Sequence, residues 1–114
     1  VVDDVIVSAF GSAGQRCSAL RMLFLPHDSA DLVIEKLVGA LAALQLGDPA
    51  DPATDVGSVI DADAVALLEA HVARLEREAV ILARHPGTSA AGHFFAPVIA
   101  EVPTPDFLER EVFG

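Results

Sequence analysis

The 114-residue sequence predicts an α/β fold, with helices alternating with short apolar strands that assemble into a parallel sheet. Three observations predict it. Apolar residues recur at intervals of three and four in several separate stretches, the mark of amphipathic helices. Short runs rich in Leu, Val, Ile and Phe lie between them, of strand rather than helix length. Clusters of Gly, Pro and Asp punctuate the junctions. At this length the chain is one domain at most and long enough to bury a core.

The elements follow in order. Val2, Val5, Ile6, Ala9 and Phe10 fall on one helical face, and Gly11 ends that helix. A Gly/Ser-rich loop spans residues 11–18. Leu20 to Leu25 reads as a buried strand stopped by Pro26. Asp28 or Ser29 caps a second helix whose apolar face is Val33, Ile34, Leu37, Val38, Leu41 and Leu44. A Pro/Asp/Gly loop occupies 47–60. Asp61 caps a third helix with its stripe on Val65, Leu68, Val72, Leu75 and Ala79. Val80 to Leu82 is a short strand, residues 85–92 turn, and Phe94 to Val102 is a second strand region with an irregularity at Pro97. Pro105 starts a short helix that runs through Arg110.

Composition narrows the function. The formal net charge is -10, and the seven Lys and Arg residues are scattered. They make no phosphate-binding stripe, so nucleic acid is not an expected partner. No apolar run approaches the ~20 residues of a membrane span. One cysteine forbids an intrachain disulfide and suits a reducing, cytoplasmic setting. His27, His71, His85 and His93 are too dispersed to hold a metal with Cys17, and no metal site is expected. Asp48, Asp51 and Asp55 lack the Gly and terminal Glu of a calcium loop.

Cys17 is the residue of greatest chemical interest. Gly14, Gln15, Arg16 and Ser18 flank it, where a structural cysteine usually has apolar neighbours. A Gly/Ser-rich bend can present a thiol at the end of packed elements, as a nucleophile requires. A lone cysteine is nonetheless more often structural than nucleophilic, and both readings stand at this point.

The words Gly14-Gln-Arg-Cys-Ser18 and Glu109-Arg-Glu-Val-Phe-Gly114 resemble the aldehyde dehydrogenase superfamily. The first is similar to its nucleophile loop, the second to its Glu-x-Phe-Gly cofactor motif. The run from Ser8 to Arg21, with Asp55 to Asp61 and Gly92 to Glu101, resembles one branch more closely. That branch is the glutamate-semialdehyde (pyrroline-5-carboxylate) dehydrogenase module of bifunctional proline-utilisation enzymes. The resemblance spans essentially the whole chain.

The resemblance implies that residues 1–114 are part of the catalytic domain of a longer NAD-dependent enzyme. The chain begins at Val1 and ends inside a motif at Gly114, and the cofactor domain is expected outside it. Any FAD belongs to a proline dehydrogenase domain that this chain does not contain. Cys17 is the implied catalytic nucleophile, forming a thiohemiacetal and then a thioester, and its backbone N–H is an implied oxyanion donor. The family's second oxyanion donor, an Asn, and its general base, a Glu, lie upstream. Glu111 is implied to accept hydrogen bonds from the nicotinamide-side ribose, with Phe113 lining the same cofactor pocket. Without the resemblance, Glu111 reads as a solvated carboxylate and Phe113 as core. Arg16 and Ser18 are candidates for holding the substrate's α-carboxylate, against the plainer readings of a surface Arg and a turn Ser.

The expected partner is a small aldehyde, oxidised from L-glutamate γ-semialdehyde to L-glutamate, in an enzyme that forms homo-oligomers. One rival keeps the chemistry and changes the substrate, for instance to succinate semialdehyde. Another is a non-catalytic structural or interaction domain of the same fold.

Overall fold

A computed structural model describes all residues 1–114. It contains three helices, α1 (Val2–Phe10), α2 (His27–Ala43) and α3 (Ala62–Glu78), and two strands, β1 (Val80–Arg84) and β2 (Val98–Glu101). Short 3₁₀ turns cover Gly11–Gly14 and Pro105–Phe107.

The three helices lie where apolar periodicity predicts them. α1 half-buries Val2, Val5, Ile6, Ala9 and Phe10 and leaves Val7 exposed. Asp3 and Asp4 stand in its first turn, where carboxylates complement the positive end of the helix dipole. Gly11 is its C-cap, at an ordinary negative φ of -55°. The reversal comes later, at Ser12, Ala13 and Gly14, with φ of 56°, 52° and 69°. α2 starts one residue before the expected cap. Pro26 is its N-cap, and the Ser29 hydroxyl donates back to the Pro26 carbonyl instead of accepting a helix N–H. Proline suits this boundary because it has no N–H to leave unpaired. α3 is capped as expected, with Asp61 Oδ1 accepting from the Ala64 N–H at 2.8 Å.

The sheet corrects the prediction. β1 and β2 pair antiparallel, with Val80 opposite Glu101 and Arg84 opposite Val98, and a bulge between Ile81 and Ala83. A parallel pair needs a crossover of a dozen or more residues, usually a helix. Residues 85–97 carry no helix and simply double back, which allows only antiparallel pairing. Leu20–Leu25 forms no strand, because no segment of this chain pairs with it. A strand exists through its ladder, and apolar character alone does not make one. The predicted 94–102 strand is shortened to β2. Pro97 lies just before it and still accepts the His85 N–H at 2.9 Å. The helix expected from Pro105 to Arg110 is one 3₁₀ turn ending at Phe107.

The loop between α2 and α3 is hydrogen-bonded rather than loose. Leu46 and Val56 form an isolated parallel bridge, and Asp55 Oδ2 accepts from the Gln45 N–H at 2.8 Å. Val56 and Val59 are thereby buried along with Leu37, Leu41 and Leu44. His85 is also buried. Its Nδ1 accepts from the Gly87 N–H, so its Nε2 carries the proton and donates to the Leu44 carbonyl at 3.0 Å. A second cluster joins Val72 and Leu75 of α3 to Phe107, under Phe95, Val98 and Ala100. Full burial of each such side chain stabilises by about 1.5–3 kcal/mol.

Candidate active site

The site is built from the turn after α1 and the last residues of the chain. Cys17 and Ser18 are the two central residues of a turn closed by the Ala19 N–H on the Arg16 carbonyl at 3.1 Å. The turn is tied to α1 through the Leu20 N–H, which donates to the Ser8 carbonyl at 3.2 Å. Cys17 is a free, exposed thiol, and its backbone N–H is used by no partner within the chain. An exposed thiol beside an unengaged N–H is the arrangement that carbonyl addition requires.

Three features hold this turn in place. Gly14 sits in the left-handed region, and a Cβ there would meet the Gly114 carbonyl carbon at 2.8 Å and the Ala9 oxygen at 3.1 Å. Only glycine lets the end of the chain approach the loop so closely. Gln15 reaches the segment before α3, where its Oε1 accepts from the Ile60 N–H at 2.9 Å and its Nε2 donates to the Ser58 carbonyl at 3.4 Å. Arg21 Nη2 donates to the Arg16 carbonyl and to Glu111 Oε1, each at 3.4 Å.

Arg16 folds back toward α1, its Nη2 donating to the Val7 carbonyl at 3.4 Å. A cation at the last carbonyls of a helix meets the negative end of its dipole. Arg16 and Ser18 together line a shallow dip with Asp3, Asp4, Val7 and Ser8. Asp3 and Asp4 add negative charge there, which opposes the binding of a carboxylate in that dip.

Glu111 and Phe113 come together around Arg21, whose guanidinium carbon lies 5.7 Å from the centre of the Phe113 ring. The second oxygen of Glu111 has no partner within the chain. An acceptor-only carboxylate oxygen next to a half-exposed aromatic ring fits a ribose diol and its attached nucleotide. The Cys17 turn and the Glu111 segment are thus brought together, while the Arg16 side chain is directed away.

A cavity of about 570 Å³ opens beside the site and shares Arg21, Val112 and Gly114 with it. It runs among Leu20, Met22–Leu25, Ile34, Val72 and Val98, with Arg21, His71 and Glu101 as its only titratable lining residues. It holds no nucleophile. Burial in that lining lowers the pKa of His71, with the Arg74 charge as a smaller cause. No group of three or more His, Cys, Asp and Glu side chains is placed to hold a metal ion, and no helix is long and apolar enough to cross a membrane.

Gln15 and Arg21 were not among the expected site residues. The signal for Arg21 was present in the sequence, since a lone cation inside the apolar run Leu20–Leu25 must find partners when it folds inward. Ser58 and Ile60 lie in the Asp55–Asp61 motif, but nothing in that motif shows that their backbones meet Gln15.

A model of the aldehyde dehydrogenase family matches residues 1–114. The chain is 42% identical over 121 residues to the bifunctional protein PutA of Salmonella typhimurium, covering 100% of this chain and 9% of that protein. It is 34% identical over 112 residues to the 1-pyrroline-5-carboxylate dehydrogenase of Geobacillus kaustophilus, covering 96% of this chain and 22% of that protein. A crystal structure of bifunctional proline utilization A (PutA) superposes with a TM-score of 0.94 at 50% identity, over 99% of this chain and 11% of the other. The chain therefore spans a small part of the length of each relative.

Proposed function

Because the chain belongs to the aldehyde dehydrogenase family, we propose that it is a catalytic-domain segment of a longer, cytoplasmic, NAD-dependent enzyme that oxidises L-glutamate γ-semialdehyde to L-glutamate. The observation that carries this reading is the meeting of the two motifs, in which the exposed Cys17 turn and Glu111 share the Arg21 guanidinium. Identity to PutA and to pyrroline-5-carboxylate dehydrogenases supports this substrate over succinate semialdehyde.

Cys17 Sγ, as thiolate, adds to the aldehyde carbon and forms a C–S bond. The carbonyl oxygen takes the negative charge, and the Cys17 N–H donates to it. NAD, when bound, supplies the acceptor for the hydride that leaves the thiohemiacetal carbon. Hydrolysis of the resulting thioester releases the carboxylate product and returns the thiol. Glu111 and Phe113 would hold the nucleotide. Ser18, beside the nucleophile, is a candidate donor to the substrate's α-carboxylate, although it shares the dip with Asp3 and Asp4. Arg16 is the weaker candidate for that contact, given its bond to Val7 and the nearby Asp3 and Asp4.

The test is NADH formation by the full-length enzyme that carries this chain, wild type beside Cys17→Ala, with glutamate semialdehyde and succinate semialdehyde offered in parallel. Activity on the first substrate that the substitution abolishes is expected. Cysteine-dependent activity favouring succinate semialdehyde would keep the mechanism and discard the substrate. No turnover of either by a folded enzyme that still binds NAD would discard both substrates and leave another aldehyde or a non-catalytic role, to be separated by Cys17 reactivity.

A further inference from the structure

We propose that Arg21 is a positioning residue that couples the Cys17 turn to the Glu111–Gly114 segment, setting nucleophile and cofactor-binding carboxylate relative to each other. The proposal rests on the dehydrogenase reading above. The Arg21 side chain is only 18% exposed, in a run that is otherwise apolar. Burying a guanidinium is costly unless it is paired, and Leu or Val would pack there without that cost. The charge must therefore serve its partners.

Those partners belong to the two halves of the site. One nitrogen, Nη2, donates both to the Arg16 carbonyl and to Glu111 Oε1, each at 3.4 Å. The Arg16 carbonyl also accepts the Ala19 N–H that closes the turn around Cys17 and Ser18. The Phe113 ring lies over the same guanidinium. Arg21 Nε is buried with no partner, so the guanidinium is oriented by Nη2 and the ring. These two bonds link the position of the Cys17 turn to that of Glu111. The second Glu111 oxygen stays free for a diol.

The test uses the full-length enzyme and compares Arg21→Met, Arg21→Lys, Glu111→Gln and the double variant Arg21→Met/Glu111→Gln. The readouts are the NAD dissociation constant, measured by titration without substrate, and the rate of Cys17 alkylation by iodoacetamide without NAD. Glu111 is more than half exposed, so Arg21→Met is expected to weaken NAD binding about three- to tenfold. It should raise the KM for NAD more than it lowers kcat, and it should change the alkylation rate. Glu111→Gln should weaken NAD binding and leave alkylation as in wild type. In the double variant, the loss of affinity should be smaller than the product of the two single losses. Arg21→Lys keeps the charge without the planar fork and should recover part of the NAD affinity.

Multiplicative losses in the double variant, wild-type NAD affinity in Arg21→Met, or a lysine variant as weak as the methionine one would each overturn the coupling. Where Arg21→Met does not fold, the cycle of Arg21→Lys with Glu111→Gln decides in the same way. A folded wild type that binds no NAD would sink the NAD-dependent reading itself. Wild-type NAD binding with multiplicative losses would sink only the role of Arg21.

Discussion

Gly14 is the residue on which the geometry of the Cys17 turn rests most directly. Its φ of +69° already disfavours any side chain, and a Cβ would enter the Gly114 backbone at 2.8 Å. Backbone cannot swing aside as the end of a long side chain can. Gly14→Ala is therefore expected to lower stability by about 1–3 kcal/mol, combining left-handed strain with displacement of the chain end. It should also cut turnover more than Cys17 accessibility, since small misplacements of reacting groups are expensive. Urea midpoints and kcat, compared with iodoacetamide reactivity, would check this; an alanine variant of wild-type stability would mean the close approach is dispensable. Ser12 and Ala13 share the left-handed conformation without glycine's freedom, so the chain carries strain beside its candidate nucleophile.

Among the elements, α3 anchors the strand pair and the Phe107 turn. Its apolar stripe buries Leu68, Val72 and Leu75, and its N-terminus follows the segment that Gln15 grips. Arg74 flanks that stripe, donates to Glu78 Oε2 at 3.0 Å and lies 4.2 Å from the centre of the Phe107 ring. Arg84 of β1 donates to Glu69 and fastens the strand to the helix. Asp61→Ala removes the one side-chain cap in the three helices and should cost about 1 kcal/mol. Asp61→Ser should recover most of that, because a serine hydroxyl can accept the same N–H. Thermal melting of the three forms would show it, and equal melting of aspartate and alanine forms would contradict it.

At the scale of the whole molecule, acid should weaken the fold through His71. Its pKa is lowered below the usual 6.5 by burial and, less, by Arg74. Below that ordinary value the unfolded chain takes up a proton that the folded one resists. The stabilisation is therefore present above the unfolded pKa and is lost as pH falls through the lowered, folded one. Between about pH 7.5 and about pH 5.5, His71→Gln should lose less of its melting temperature than the wild type does. Equal losses in both would show that another group governs the acid limb. The site residues are exposed or close to the surface, so their geometry depends on the few contacts that join distant segments. The Arg21 and Gln15 bonds and the Gly14–Gly114 approach are those contacts.

The three helices, the Asp61 cap and the resemblance to the family were legible in the residues alone. These are properties of local periodicity, short-range spacing and contiguous motifs, and they need no knowledge of distant neighbours. How the strands pair depended on the path of the folded chain. Leu20–Leu25 has the composition of a strand but no partner in this chain, and the 85–97 loop turns β2 back against β1 instead of crossing over. That path likewise decided that Arg21, separated from Glu111 by most of the chain, closes the candidate site, and that Arg16 turns toward α1. Partners of this kind are chosen by the path of the backbone. A charge inside an apolar run shows that a partner is required, and the fold selects which one it is.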